Sequence, residues 1–317
     1  MTIAQSRCNQ HSGIVSFRDK ERRSLCIISV NYNNARLLAE CVVRSELALV
    51  GINHEFVLID NASTDDSLQF LESRFENRDN VLVIKADANR GFGAGCNLGA
   101  EHANAEILWF LNSDAWLTDI SGLREAIEYL ARPDTGIVGT AARLASGTPC
   151  PQAGGELSFS YLFISSLRLG KLFRSLPAPL FQFLRRTRYI APQTLRNYLD
   201  SFDHVRRESI YLSKSAGGAS FLIRRATYLL LNGFDERFFL YDEDADLCAR
   251  TINAHFKIYI APKLVAMMFE SATTSRLSWL RLKRIKKRSR VLLIEKHFVG
   301  LKRNILLLLT WITWPLL

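Results

Sequence analysis

The amino-acid sequence predicts an α/β fold in which a mostly parallel sheet is flanked by helices. From residue 24 to about residue 139, short apolar runs alternate with stretches of helical periodicity, the pattern of βαβ units. Polar and acidic residues follow several of these runs, as expected where strand ends of an open sheet form a crevice. The 317 residues are 48% apolar and 23% charged, so the chain can bury a large core. This composition excludes a disordered chain, a collagen and a disulfide-rich miniprotein.

The predicted elements follow one another regularly along the chain. Apolar runs rich in β-branched residues predict strands at 25–30, 55–59, 81–84 and 106–111. Helical periodicity predicts helices at 35–49, 63–75, 93–103 and 121–131, the second of them capped by Ser63 or Thr64. A Gly/Pro/Ser-rich break follows at 146–156. Regular structure resumes at 213–223, with a helix at 243–253 and strands at 257–260 and 263–269.

One C-terminal segment carries the whole net charge of +10. Residues 276–303 hold eleven Lys or Arg and one acid, whereas the rest of the chain is balanced. Residues 305–317 are mostly apolar but shorter than the roughly 20 residues that span a bilayer. A basic amphipathic helix with a short tail containing Trp311 and Trp314 is typical of a helix lying on an anionic membrane surface. The alternative is a helix that packs on the core with solvated charges; nucleic acid is disfavoured.

Two further features bear on location. The six cysteines form no CxxC pair, which argues against a zinc site and a disulfide framework, and residues 1–13 lack the apolar stretch of a signal peptide. We therefore expect a cytoplasmic protein, peripheral on the inner face of the cytoplasmic membrane. The stretch 161–190 is basic and free of acids. It is either a solvated insertion or a second patch that faces the membrane or an acceptor.

Amide and carboxylate side chains end three of the predicted strands. They lie at Asn31–Asn34, Asp60–Asp66 and Asn112–Asp114. Each set alone is common in turns and helix caps, but three sets at one sheet edge predict a binding crevice. The Gly-rich turn at 89–99 is no dinucleotide fingerprint, because the GxGxxG spacing fails and the turn follows the third strand. Its backbone N–H groups can still approach a phosphate.

An acidic cluster lies between residues 235 and 246, where six acids follow or flank an aromatic run. Acids that open a helix often do no more than pair with its dipole. Glu243 and Asp244, however, come after an apolar stretch and stand beside like charges. Both conditions raise a carboxyl pKa and suit a general base.

These motifs, in this order and spacing, resemble glycosyltransferase family 2, and within it the bacterial rhamnosyltransferase-type enzymes of surface-polysaccharide assembly. The resemblance covers residues 24–298, and the segments that carry it are Val30–Asn33, Asp60–Asp65, Asn89–Gly93, Asn112–Asp114, Gly218–Ala219 and Gly233–Leu247. It implies a GT-A fold over 24–275, with a nucleotide-binding half (24–140), an insertion (141–212) and an acceptor half (213–275). A polar tail (1–23) precedes this domain, and basic and apolar C-terminal helices (276–317) follow it.

The resemblance also implies roles for individual residues. Asp60 would accept the N3–H of a pyrimidine base, Arg90 would lie near the diphosphate, and Asp114 would hold Mg²⁺ or Mn²⁺. Asp244, next to Glu243, would deprotonate the acceptor hydroxyl, and Arg250 would orient the acidic cluster. The residues implied to bind the nucleotide sugar are Asn31, Tyr32, Asn33, Asp60, Asn61, Arg90, Gly91, Asn112, Gly218 and Ala219.

Two positions depart from the family's pattern. The metal motif Asn112-Ser113-Asp114 lacks a first acid, so one carboxylate must suffice. Met267 and Met268 stand where relatives often carry a metal- or phosphate-binding His, and Glu270 is the nearest polar candidate. His255 stands where relatives usually have Gly before a strand, which does not fit that role.

The leading hypothesis is an inverting transferase that moves rhamnose from dTDP-rhamnose onto a growing glycan. The basic and apolar C-terminal segments fit an acceptor carried on a polyprenyl diphosphate lipid. Two alternatives stay open. One is a family 2 transferase that uses a UDP-hexose, and the other is a non-catalytic member of a glycan-assembly complex.

Overall fold

The computed structural model describes residues 23–150, 157–166, 207–269 and 278–313. The strands are β1 (Arg23–Asn31), β2 (His54–Asp60), β3 (Val81–Lys85), β4 (Ala105–Leu111), β5 (Ala115–Asp119), β6 (Thr135–Leu144), β7 (Pro149–Cys150), β8 (Tyr211–Ser213), β9 (Ser220–Arg224) and β10 (Lys257–Met268). The helices are α1 (Ala35–Ala48), α2 (Ser67–Phe75), α3 (Phe92–His102), α4 (Leu123–Leu130), α5 (Phe159–Ser166), α6 (Arg225–Leu230), α7 (Glu243–Asn253), α8 (Trp279–His297) and α9 (Gly300–Thr313). Residues 1–22 of the predicted tail 1–23, most of the basic stretch 161–190, Glu270 and Trp314 lie outside the described residues.

All ten strands belong to one sheet, in the order β3-β2-β1-β4-β9-β6-β10-β5, with β7 beside β6 and β8 beside β10. The expected parallel core is confirmed, because β3, β2, β1 and β4 run parallel and β6 runs parallel to β10. Strand β9 enters antiparallel to both β4 and β6, so the sheet beyond β4 is mixed. The alternation of strands and helices did not predict these antiparallel neighbours.

Strand β1 shows why the apolar runs form buried central strands. Its residues alternate between the two faces of the sheet, with Cys26 and Ile28 packed against α3 and Leu25 and Ile27 packed with α1 and α2. Helices cover both faces, so residues 25–30 are all buried and, apart from Ser29, apolar. The continuous run at 25–30 therefore reports burial on both sides.

Several element boundaries differ from those predicted. Helix α2 begins at Ser67 rather than at residue 63, because the intervening residues form the turn that follows β2. The two strands predicted at 257–260 and 263–269 are one strand, β10, whose register against β6 shifts between Ala261 and Val265. Pro262 lies in that shift and has no N–H for the ladder, as is usual for proline in a strand.

The C-terminal basic and apolar segments are helical, as the sequence predicted. Helix α9 packs on α5 and on α8 around Leu162, Ile294 and Leu306, which form a small core of their own. Within the ranges that the structure covers, no helix combines the length and apolar character needed to cross a bilayer.

Candidate active site

The three polar strand ends lie side by side at one edge of the sheet. Strand β1 pairs with β2 on one side and with β4 on the other, and Asn31 is in register with Asp60. The topology therefore brings together residues 31–34, 60–66 and 112–114, as the crevice prediction requires.

A hydrogen-bond network links the segments that follow β1 and β2. The Asp60 carboxylate accepts bonds from Asn31 Nδ2 (2.9 Å), Ser63 Oγ (2.6 Å) and Ser63 N (3.0 Å). Asn31 and Asp60 are almost completely buried, whereas Tyr32 and Asn33 are partly exposed. A carboxylate has about four lone-pair positions, so Asp60 keeps room for one more donor. Asn31 serves this network, and Tyr32 and Asn33 present the accessible surface.

A second network holds the Gly-rich turn against the loop that precedes α7, residues 235–242, here called the acidic loop. Asn61 Nδ2 donates to Asn89 Oδ1 (3.1 Å) and to the Gly91 carbonyl (3.0 Å). Phe92 N donates to the Phe239 carbonyl at 3.0 Å, and a Cβ on Gly91 would come within 2.1 Å of that oxygen. Gly91 also has φ +102°, a conformation that favours glycine. Glycine is required there for this close approach, and the neighbouring Arg90 is exposed.

The end of β4 leads to the proposed metal acid. Asp114 is 7% exposed, and its backbone carbonyl accepts a bond from Phe269 N at 2.9 Å, next to the end of β10. Asn112 N donates to the Ala219 carbonyl at 2.9 Å, because β9 begins beside Leu111. The segment Gly218–Ala219 therefore runs directly beside the Asn112–Asp114 turn.

The same segment contacts the acidic helix. Gly218 N donates to Asp244 Oδ2 at 2.8 Å, and a Cβ on Gly218 would lie 3.1–3.3 Å from atoms of the Asp244 side chain. Asp244 is partly exposed; burial and, after it, the carboxylate of Asp242 raise its pKa, although the bond from Gly218 N opposes that rise. A raised pKa brings a carboxylate closer to the range in which a general base works best.

Glu243 is the more buried member of the pair. Its side chain is 6% exposed, and burial together with the neighbouring carboxylates of Asp244 and Asp242 raises its pKa well above the ordinary value. Its Oε2 has no hydrogen-bond partner among the residues the structure describes. Burial thus shifts Glu243 toward its neutral form, and Asp244 is the more accessible carboxylate of the two.

Two cations and one histidine ring surround Asp246, which is fully buried. Its Oδ1 accepts from Lys296 Nζ (2.7 Å) and His297 Nε2 (2.8 Å), and its Oδ2 accepts from Arg250 Nε (2.8 Å). Burial alone would raise its pKa, but the bonds from His297 and Lys296 and the charge of Arg250 outweigh burial and lower it. Lys296 also lies 2.6 Å from Asp235, so it bridges two acids of the cluster.

Sequence reasoning missed the residues that tie the C-terminal helix to this site. Arg290 pairs with Asp242, and Lys296 and His297 pair with Asp246. These three residues lie within the basic segment for which the sequence favoured a membrane surface over packing on the core. Arg290 and His297, seven residues apart, fall on one face of the helix beside Lys296, and this spacing together with six acids elsewhere in the chain was the available signal. His255, at φ +65°, sits in a left-handed turn before β10, which explains why glycine suits that position.

The donor set at Asp114 fits a hard cation. Among the described residues, no three His, Cys, Asp or Glu side chains converge as a ready-made metal cluster. Mg²⁺ is commonly held by one or two carboxylates together with substrate phosphates and water, so one buried Asp at the crevice is compatible with it. Asp114 is the residue that would hold such an ion.

Comparison with known proteins agrees with this architecture. A protein-family model described as "Glycosyl transferase family 2" matches residues 26–173. An N-acetylglucosaminyl-diphospho-decaprenol L-rhamnosyltransferase of Mycobacterium tuberculosis is 28% identical over 69% of this chain and 68% of its own length. The O-antigen biosynthesis protein RfbC of Myxococcus xanthus is 27% identical over 78% of this chain, a match that spans only 17% of that protein.

Two solved structures share the fold. A mannosyltransferase of Pyrobaculum calidifontis, in complex with GDP-Man and Mn²⁺, superposes with a TM-score of 0.55 at 14% identity, over 92% of this chain and 74% of that one. GalNAc-T7 with UDP, GalNAc and Mn²⁺ gives a TM-score of 0.53 at 15% identity, over 80% and 45% of the two chains. At these identities the likeness concerns the fold. The match over residues 26–173, the curated relatives and this fold together make the chain similar to glycosyltransferases of family 2, with a fold of GT-A type.

Proposed function

We propose that this glycosyltransferase transfers rhamnose from dTDP-rhamnose, with inversion, to a glycan acceptor carried on a polyprenyl diphosphate lipid. One observation carries the proposal. Gly218–Ala219 bridges Asn112 and Asp244, so the candidate base and the candidate metal acid lie on the same stretch of sheet edge. The Mycobacterium tuberculosis relative, named for a rhamnosyltransferase acting on a decaprenol-linked sugar, supports the choice of donor and acceptor.

In this reaction the acceptor hydroxyl attacks the anomeric carbon from the face opposite the nucleotide. Asp244 takes the hydroxyl proton, the new glycosidic bond forms, and the bond from the anomeric carbon to the diphosphate oxygen breaks, which leaves the nucleoside diphosphate. Gly218 N holds Asp244 Oδ2, and Ala245 N holds Oδ1 at 2.8 Å, so the carboxylate is oriented before the acceptor arrives. The product has the inverted configuration because a single displacement takes place.

The remaining residues of the proposed site hold the donor. Asp60 would accept the N3–H of the base, with Asn61 ordering the turn at 89–91 and Tyr32 and Asn33 lining the ribose side. Arg90, exposed beside the Gly-rich turn, would face the diphosphate. A bound Mg²⁺ or Mn²⁺, held by Asp114, would supply positive charge beside the departing diphosphate.

We further propose that α8 and α9 place the enzyme on an anionic membrane surface, on its cytoplasmic side. Large apolar side chains on these helices and their connection are 58–83% exposed: Trp279, Leu280, Val299, Leu301, Leu308, Trp311 and Ile312. Lys283 lies 3.5 Å from the centre of the Trp279 ring, and Lys287 lies 3.2 Å from that of Trp311. Aromatic and apolar residues interspersed with cations suit the headgroup region of a bilayer.

Asp244→Asn tests the chemical assignment. The substitution keeps the shape of the side chain and removes the base, so we expect transfer to fall by about 10²-fold or more while donor binding persists. The measurement is rhamnosyl transfer from dTDP-rhamnose to a polyprenyl diphosphate N-acetylglucosamine, with UDP-hexoses as competing donors. Wild-type rates in Asp244→Asn would refute Asp244 as the base. Transfer from a UDP-hexose but not from dTDP-rhamnose would refute rhamnose as the transferred sugar. A wild-type protein that is inactive with every donor would favour a non-catalytic member of a glycan-assembly complex.

A further inference from the structure

The basic helix α8 contacts the acidic loop through a two-pronged ion pair. Arg290 Nε lies 2.8 Å from Asp242 Oδ2, and Arg290 Nη2 lies 2.9 Å from Asp242 Oδ1. One residue earlier, Ser289 Oγ donates to the Leu240 carbonyl at 2.8 Å. The two side chains of the ion pair are only 29% and 14% exposed, so water screens the pair weakly. Such fork-to-fork pairing fixes direction as well as distance.

The loop that Arg290 contacts has an unusual backbone. Tyr241 and Asp242 have φ +70° and φ +63°, two successive non-glycine residues in the left-handed region. Residues in that region persist only where the surroundings hold them. Asp242 is also the residue immediately before α7, and its carbonyl accepts the bond from Asp246 N that begins the helix. The first turn of α7 carries Asp244, so the position of Asp242 sets the position of the proposed base.

We propose that Arg290 is a positioning residue for sugar transfer: it fixes Asp242 and thereby aligns Asp244 with the Gly218 backbone. The proposal rests on the function proposed above for Asp244. The cation on α8 holds the start of α7 from outside, while Gly218 N holds the Asp244 carboxylate from the sheet edge. Loss of either contact would let the base move relative to the acceptor hydroxyl.

Arg290 also controls the charge around Asp244. The groups that face Asp244 are Asp242 and Glu243 on its own turn, Cys248 one turn along α7, and Arg290 from α8. Arg290 offsets the carboxylate of Asp242. Without Arg290, an unpaired negative charge stands two residues from the base and raises its pKa. Without the Asp242 carboxylate, the unpaired guanidinium of Arg290 lowers the pKa of Asp244.

The test compares Arg290→Ala, Arg290→Lys and Asp242→Asn with a matched control, Arg288→Ala, which removes an exposed cation from the same helix. Each folded variant is assayed across pH for transfer from the donor that the wild-type enzyme uses best, to a short-chain polyprenyl diphosphate N-acetylglucosamine in detergent. We expect kcat of Arg290→Ala to fall about 10-fold to 100-fold, the effect of a small misplacement of a catalytic group, with the donor KM unchanged. Arg288→Ala should match wild type.

The pH profile separates positioning from mere destabilisation. Asp244 must be ionised to act, so activity rises with pH through its pKa. We expect this rise to move to higher pH in Arg290→Ala and to lower pH in Asp242→Asn, although both variants lose kcat. Arg290→Lys keeps the charge but not the fork, so it should restore the pH profile and only part of kcat.

Specific results would overturn the proposal. Wild-type kcat in Arg290→Ala, or pH profiles that do not move in opposite directions, would refute the positioning role, provided that Asp244→Asn is inactive. If Arg290→Ala does not fold, Arg290→Lys and Asp242→Asn still decide the matter, because each alone must lower kcat. Full activity of Asp244→Asn would instead refute the underlying assignment of the base.

Discussion

The fully buried carboxylate of Asp246 allows a sharp test of how the C-terminal helix is attached. We expect Asp246→Asn to destabilise the fold strongly, because the substitution removes the only negative charge that Arg250 and His297 contact in the described structure and leaves those groups facing a neutral amide. Removing one partner of a buried ion pair costs about 3–5 kcal/mol. Lys296 keeps Asp235 as a partner, and the side chains of Arg250, Lys296 and His297 are 11–22% exposed, so the lower end of that range applies.

A loss of about 3 kcal/mol corresponds to a Tm decrease of about 6 °C or more for a domain of this size. The measurement is thermal unfolding followed by circular dichroism. The matched control is Asp134→Asn, which breaks an exposed pair with Lys257 at 2.6 Å, where both side chains are about half exposed. Exposed pairs contribute about 0–1 kcal/mol, so the control should unfold within about 2 °C of wild type. Equal Tm decreases in both variants would refute the reasoning.

The pH dependence of the same difference gives a second readout. The pKa of Asp246 is lower in the folded protein than in the unfolded chain, where a carboxyl titrates near about 3.9. Its stabilisation is therefore complete above that value and is lost as pH falls through the lower folded pKa. We expect the stability gap between wild type and Asp246→Asn to be retained down to about pH 4 and to narrow below it. A stability difference between wild type and Asp246→Asn that narrows only above pH 7 would contradict the expected direction of this pH dependence.

Three further predictions concern other parts of the structure. Gly91→Ala should destabilise by about 2 kcal/mol or more in urea unfolding, because the new methyl meets the Phe239 carbonyl, whereas Gly51→Ala, with φ +80° but open space, should cost less. Asp114→Ala should abolish metal-dependent binding of the donor nucleotide in calorimetry while the Tm stays near wild type; unchanged binding would exclude Asp114 as the metal residue. Trp311→Ser combined with Ile312→Ser should reduce flotation with anionic liposomes at low salt, and unaltered flotation would exclude this surface.

The parallel half of the fold could be predicted from sequence because burial on both faces leaves an unambiguous pattern. The runs at 25–30 and 55–59 are buried at every position and, apart from Ser29 and Glu55, apolar, and helices must cover such strands. Strand β5 and helix α6 were missed because they are short, at five and six residues; β5 follows a polar turn, and α6 follows β9 with no residue between them. The spacing of apolar residues cannot identify a strand or a helix over so few residues.

For the site, sequence order and strand ends predicted which residues meet, but not which side chains stay accessible. Asn31 looks equivalent to Asn33 in the sequence, yet one is fully buried in a network with Asp60 and the other is partly exposed. Likewise, Glu243 and Asp244 are adjacent acids, but the turn of α7 buries the first beside Cys96 and presents the second to Gly218. Such differences arise from tertiary packing, which depends on residues that are distant in the sequence.

The C-terminal basic segment shows that charge counting cannot separate cations that pair inside the fold from cations that stay exposed. Arg290 and Lys296 point into the acidic cluster and are neutralised there, so they cannot also contribute to a membrane surface. Trp279 and Trp311, with their stacked lysines, lie on the same two helices and remain exposed. Because α8 carries both Trp279 and Arg290, the proposed contact of α8 with a lipid surface would also act on the loop that precedes Asp244. An acceptor held in that surface would therefore meet a base whose position depends on the same helix.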